Sequence, residues 1–137
     1  MDARKLTPTY AVSPQITPAD VAAIKAAGFT RVICNRPDAE IAPDIQAEAM
    51  RQAVEAAGLE FVFNPVIGGA ITRENVAAQK AAMSSAKGPV FAYCASGNRS
   101  SIVWALAQAG EVPADRLIGT AAEWGYNLEP IRPALEG

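Results

Sequence analysis

The sequence predicts an α/β domain: a mostly parallel sheet of four or five strands with helices on both faces. Short β-branched and aromatic runs, "FTRVIC", "EFVF" and "VFAYC", alternate with longer amphipathic segments. The stretches "AAGFTRVI" at 26–33 and "AAGLEFVF" at 56–63 repeat one arrangement of helix end, glycine stop and strand. Two copies describe successive α-to-β units rather than a solenoid. Strands separated by helices pair in parallel through crossovers, and such a sheet is covered on both faces.

Each element has a local cause. Near the start, "TYAVSPQ" is predicted as an edge strand. Thr17, Pro18 and Asp20 open a helix with a hydroxyl cap, a proline in the first turn and a carboxylate near the positive end. Val21 and Ile24 give it an apolar stripe, and Gly28 ends it. "FTRVIC" then forms a buried strand. A second helix is predicted from about Pro43 to Ala57, leading into "EFVF". Thr72 caps a third that reaches about Lys87, where Gly88-Pro89 breaks it before "VFAYC". Ile102, Val103, Leu106 and Ala109 line one face of a helix that stops at Gly110. Pro113 starts another, to about Glu123, and "NLEPIRP" forms a last turn or two. No linker interrupts the chain, so one domain over 1–137 is expected.

Composition narrows the function. Half the residues are hydrophobic and 19% are charged, enough for one core. A net charge of −2 gives no electrostatic case for nucleic acid or an anionic membrane. No apolar run approaches the roughly 18–20 residues of a membrane helix, and "MDARKLTPTY" has no signal-peptide core. A cytoplasmic protein is expected, with Cys34 and Cys94 as free thiols. Histidine is absent, which removes Ser-His-Asp and Cys-His mechanisms. No metal site and no cofactor are expected.

The stretch "CASGNRSS" concentrates the chemistry. It lies between a strand and a helix, where α/β sheets place their ligands. Gly97 lets the backbone turn so that successive N–H groups of Ala95, Ser96, Gly97 and Asn98 share one concavity. The following helix adds its positive end, and Arg99 supplies a planar fork for an oxyanion. An anion site also favours a thiolate, so backbone dipoles and Arg99 substitute for the missing base beside Cys94. Ser100 or Ser101 can add a hydroxyl. The assignment requires that solvent reach the Cys94 thiol. The bland alternative is a buried strand-end cysteine with Arg99 solvated.

This loop resembles the active-site loop of protein tyrosine and dual-specificity phosphatases and of rhodanese sulfurtransferases. With "VICNRPDAE", "AAGLEFVFNPV", "GPVFAYCASGNRSS" and "WAL", the chain resembles the beta-lactamase hydrolase-like, phosphatase-like family of bacterial domains over about residues 8–130. The resemblance implies a dual-specificity phosphatase-like fold, with Cys94 as nucleophile and Arg99 as anion clamp.

Two departures from the phosphatase pattern bear on the reaction. Four residues separate Cys94 from Arg99, as in rhodaneses, where phosphatases have five. Phosphatases of this type carry an aspartate general acid on the loop after the preceding strand; "NPVIGGAIT" at 64–72 has no carboxylate. Glu74 sits in a helix first turn and serves the dipole. Asp38 and Glu40 lie on another strand-end loop and can reach the site. Sulfur transfer needs no acid. The favoured expectation is therefore transfer from a sulfane sulfur donor to a thiol acceptor through a Cys94 persulfide. The alternatives are phosphate-ester hydrolysis through a cysteinyl-phosphate and a non-catalytic phosphate- or sulfate-binding module.

Other residues divide between site and scaffold. Cys34 ends its own strand and can resolve an oxidised Cys94, although a packed core thiol is the expected role. Arg36 lines the rim or, preferably, pairs with Asp38 or Glu40. Tyr93 and Trp104 are expected in the core; Trp124 and Tyr126 either cover a pocket wall or close a C-terminal helix.

Overall fold

The computed structural model describes residues 1–137. Its sheet consists of β1 (Arg4–Thr7), β2 (Tyr10–Ser13), β3 (Arg31–Cys34), β4 (Glu60–Phe63) and β5 (Val90–Tyr93). The spatial order is β1-β2-β5-β3-β4, with β1 antiparallel to β2 and all other pairs parallel. The predicted α/β architecture is present. The helices are α1 (Val21–Ala26), α2 (Ala47–Ala56), α3 (Arg73–Ser84), α4 (Asn98–Ala107), α5 (Ala114–Ala122) and α6 (Arg132–Glu136). None is long and apolar enough to cross a membrane.

Two predicted details are corrected. "TYAVSPQ" is not an edge: β2 is buried at every position and lies between β5 and the unforeseen β1. The segment "RKLT" of β1 buries only Leu6, so it carries no strand signal of its own and is recruited by pairing with β2. The helix expected from Pro43 begins as a 3-10 turn over Pro43–Ile45; Gln46 is extended, and α2 starts at Ala47.

Strand alternation splits the core into two layers. Val32, Cys34, Phe91 and Tyr93 face α1 and α2, where Ile24, Met50 and Val54 pack. Ile33, Val90 and Ala92 face the other way, with Trp104, Leu117 and Leu135.

A buried amide network ties the carboxyl ends of the strands together. Gln79 of α3 is fully buried; its Nε2 donates to Tyr10 Oη at 2.9 Å. Its Oε1 accepts from Asn35 Nδ2 and Asn64 Nδ2, both at 2.9 Å. Asn35 Oδ1 accepts from Ser100 Oγ at 2.9 Å, and Tyr10 Oη donates to the Ser100 carbonyl at 3.0 Å. Asn35 and Asn64 directly follow β3 and β4. The network therefore fixes both strand ends against the start of α4. Gln79→Leu removes three of these bonds from buried groups and is expected to cost about 2–3 kcal/mol of stability, read as a lower urea midpoint with unchanged slope.

Candidate functional site

Cys94 immediately follows β5, and α4 begins four residues later. Between them Gly97 adopts φ +95°, the left-handed conformation that glycine accepts without strain. A Cβ there would collide with the Tyr126 hydroxyl. The Gly97 N–H donates to Cys94 Sγ at 3.1 Å.

The loop carbonyls are turned outward. Ala95 O accepts from Gln15 N–H at 3.2 Å, Ser96 O from Tyr126 Oη at 2.8 Å, and Gly97 O from Ser101 Oγ at 2.8 Å. Meanwhile the N–H groups of Ala95, Ser96, Arg99 and Ser100 find no acceptor in the protein. Unpaired amides at a helix N-terminus, with their carbonyls tied back, are the arrangement that anion-binding nests use. Asn98 N–H bonds Ser96 Oγ at 3.2 Å and takes no part.

Arg99 is held by carboxylate and carbonyl. Its Nη1 and Nη2 each donate to Glu40 at 2.8 Å, a bidentate pair, and Nη1 also donates to Val66 O at 2.8 Å. Arg36 Nε joins the same carboxylate at 3.1 Å. The Arg99 guanidinium, with help from Arg36, holds the Glu40 carboxyl below the usual carboxylate range. Arg99 keeps Nε and one Nη2 proton for a ligand.

Several expected residues stand elsewhere. Cys94 is 0% exposed, so the condition set above for a nucleophilic thiol is not met in this conformation, and the role of Cys94 becomes a proposal that requires the loop to admit substrate. The Gly97 N–H bonds the Cys94 sulfur, while Ala95 and Ser96 are exposed. Ser100 Oγ is engaged by Asn35 and Ser101 Oγ by Gly97 O, so neither donates to the thiol. Asp38 leaves the site and accepts from Ala47 N–H at 2.8 Å, restraining the start of α2. Arg36 pairs with Glu40, not Asp38. Cys34 is fully buried on the Tyr93 face, and its thiol donates to Arg36 O at 3.4 Å. Burial pushes the Cys34 thiol up, consistent with a packed core residue. Both cysteines are free thiols.

Glu40 and Tyr126 are the partners that mattered most. Glu40 was visible as an acid on a neighbouring strand-end loop; its bidentate grip on Arg99 depends on β3 lying beside β5. The 64–72 loop holds no carboxylate and contributes the Val66 carbonyl instead. The main surface cavities lie away from Cys94, one lined by Lys80, Lys87 and Gln108 and another by Ile71, Arg73 and Leu106. The geometry of the loop outweighs them as a guide, because a small anion needs amides rather than volume.

Comparison with known proteins bears on the family and the fold. The model of the beta-lactamase hydrolase-like protein, phosphatase-like domain, matches residues 2–111. A beta-lactamase hydrolase-like protein of Agrobacterium fabrum is 37% identical over 101 residues, covering 74% of this chain and 23% of that protein. The chain thus spans about a quarter of the length of the curated relatives it matches. A solved candidate phosphatase of Neisseria meningitidis is 35% identical, with TM-score 0.83 over 96% of this chain and 94% of that one. Pseudomonas aeruginosa TpbA, solved with phosphotyrosine, has TM-score 0.68 at 17% identity over 98% of this chain and 83% of its own, a likeness of fold alone.

Proposed function

This chain belongs to the beta-lactamase hydrolase-like, phosphatase-like domain family, and on that premise we propose that it is a phosphoric monoester hydrolase. The order expected from the loop spacing is reversed: the comparisons favour phosphatase chemistry and lend nothing to sulfur transfer. One observation carries the reading. The Gly97 N–H donates to Cys94 Sγ, the N–H groups of Ala95, Ser96, Arg99 and Ser100 in the same loop and helix start have no protein acceptor, and Arg99 beside them keeps one edge of its guanidinium unpaired.

In the proposed cycle the Cys94 thiolate attacks phosphorus. The S–P bond forms as the ester P–O bond breaks, and the leaving oxygen takes the electron pair. The amides of Ala95, Ser96, Arg99 and Ser100, with Arg99 Nε, stabilise charge on the phosphoryl oxygens. Water then attacks phosphorus, the S–P bond breaks, and orthophosphate departs as the thiolate is regenerated.

The leaving group receives no proton from the 64–72 loop, and Glu40 stays a carboxylate between two guanidiniums. Positioned acids contribute about 10²–10⁴-fold, so the substrate must leave well by itself. Aryl phosphates meet that demand and alkyl phosphates do not. We expect turnover of p-nitrophenyl phosphate at least about a hundredfold faster than of phosphoserine. Comparable rates would defeat the acid-free reading. Cys94-dependent thiocyanate from thiosulfate and cyanide, without aryl phosphate hydrolysis, would restore sulfur transfer.

A further inference from the structure

We propose that Tyr126, oriented by Arg4, is a positioning residue: it locks the Ser96–Gly97 peptide so that the Gly97 N–H faces the nucleophile. Tyr126 lies beyond the residues matched by the family model, in the segment that carries α5 and α6. Its ring is 6% exposed and packs in the core layer with Leu117, Leu128 and Leu135.

A peptide unit is planar and trans, so its carbonyl and the following N–H point in opposite directions. In the Ser96–Gly97 unit both ends are engaged. The carbonyl accepts from Tyr126 Oη at 2.8 Å, and the N–H donates to Cys94 Sγ at 3.1 Å. Flipping that plane would break both bonds and aim a carbonyl at the sulfur and at an incoming oxyanion. Nothing in the glycine itself forbids the flip, because Gly97 populates positive and negative φ with similar ease. The hydroxyl on the far side of the plane supplies the missing preference. It also occupies the space a Cβ at position 97 would need, so the glycine and the tyrosine form one device.

Arg4 fixes the direction of the bond. A guanidinium only donates, and Arg4 Nη1 donates to Tyr126 Oη at 2.7 Å. The single phenolic proton is therefore directed to the Ser96 carbonyl, which only accepts. Asp2 holds Arg4 from behind at 2.7 Å. Burial, the largest influence, pushes the Tyr126 phenol above its ordinary value, so the donating proton stays at neutral pH. The chain Asp2–Arg4–Tyr126–Ser96 thus runs from the edge strand, through the C-terminal segment, to the peptide facing Cys94.

The proposal depends on the phosphatase reading only for the identity of the anion, and its test uses inorganic phosphate. Orthophosphate binding is measured by calorimetry on wild type, Tyr126→Phe and Arg4→Met, with melting temperatures of each. Loss of one net hydrogen bond predicts phosphate affinity about three- to tenfold weaker in Tyr126→Phe. The KM for p-nitrophenyl phosphate should rise by a similar factor, while the retained ring keeps the protein folded at the assay temperature. Arg4→Met leaves the phenol able to donate, so a smaller loss of the same kind is expected; if Tyr126→Phe does not fold, Arg4→Met carries the test. A purely structural role would lower the melting temperatures without moving the phosphate affinity. Unchanged affinity in the folded variants, beside a wild type that binds phosphate and turns over substrate, overturns the positioning role alone. A wild type that neither binds phosphate nor hydrolyses the ester overturns the phosphatase reading together with it.

Discussion

Cys94→Ser is expected to abolish aryl phosphate turnover, by at least about a thousandfold, with the fold and phosphate binding intact. Serine is close to cysteine in size, and the loop amides that cradle the anion belong to the backbone. What changes is the nucleophile. A serine hydroxyl attacks only when a base removes its proton, and this chain contains no histidine to serve as one. Glu40 cannot substitute, being committed to Arg99 and Arg36. Gly97 N–H can donate to either atom, so the variant reports on nucleophilicity rather than on geometry. Steady-state hydrolysis of p-nitrophenyl phosphate gives the rate, and orthophosphate calorimetry shows that the site persists. Acid quenching of wild type during turnover should trap a phosphoryl adduct on Cys94, which the variant lacks. Residual activity within tenfold of wild type would remove Cys94 from the chemistry.

The parts of this site that were legible in the sequence are those with short-range causes. "VFAYC" reads as a strand because its residues are apolar, and "CASGNRSS" reads as a turn into a helix because of Gly97. Cys94 and Arg99 fall at the strand's carboxyl end for the same reason. What was hidden depends on neighbours distant in sequence. The order β2-β5-β3 brings Glu40 to Arg99 across 59 positions. Gln79 and Asn64 look like surface amides until the ends of β3 and β4 meet Tyr10 and the start of α4 around them and exclude water. Tyr126 gave a signal, an aromatic beside Gly125, but its partner at position 96 is 30 residues away. β1 had no signal at all, since three of its four residues are polar. The burial of Cys94 was one of two readings the sequence left open, and the structure decides it in favour of the covered thiol, with the Gly97 N–H on its sulfur.

Arg99→Lys should cost about 10²–10³-fold in kcat/KM, the range for losing a preorganised donor at a developing charge. The substitution keeps one positive charge, so it separates charge from geometry. Arg99 performs two tasks with one planar group. Nη1 and Nη2 grip Glu40 and Val66 O, which fixes the plane and leaves Nε and the remaining Nη2 proton on one edge for the proposed oxyanion. A lysine ammonium has three donors on a flexible stem and cannot hold the carboxylate bidentately while presenting a second fork. Pairing with Glu40 would draw it off the phosphoryl group; contacting the phosphoryl group would release Glu40. Released, Glu40 would place a carboxylate beside an anionic substrate, restrained only by Arg36 at 3.1 Å. Repulsion from it should raise the KM for aryl phosphate as well as lower kcat. The double variant Arg99→Lys with Glu40→Gln removes that repulsion and should recover the KM part of the loss but not the kcat part. Calorimetry with orthophosphate checks the binding half independently of turnover. If Arg99→Lys retains kcat/KM within a few-fold of wild type, the planar fork is not what the reaction uses, and the anion is held by the loop amides alone.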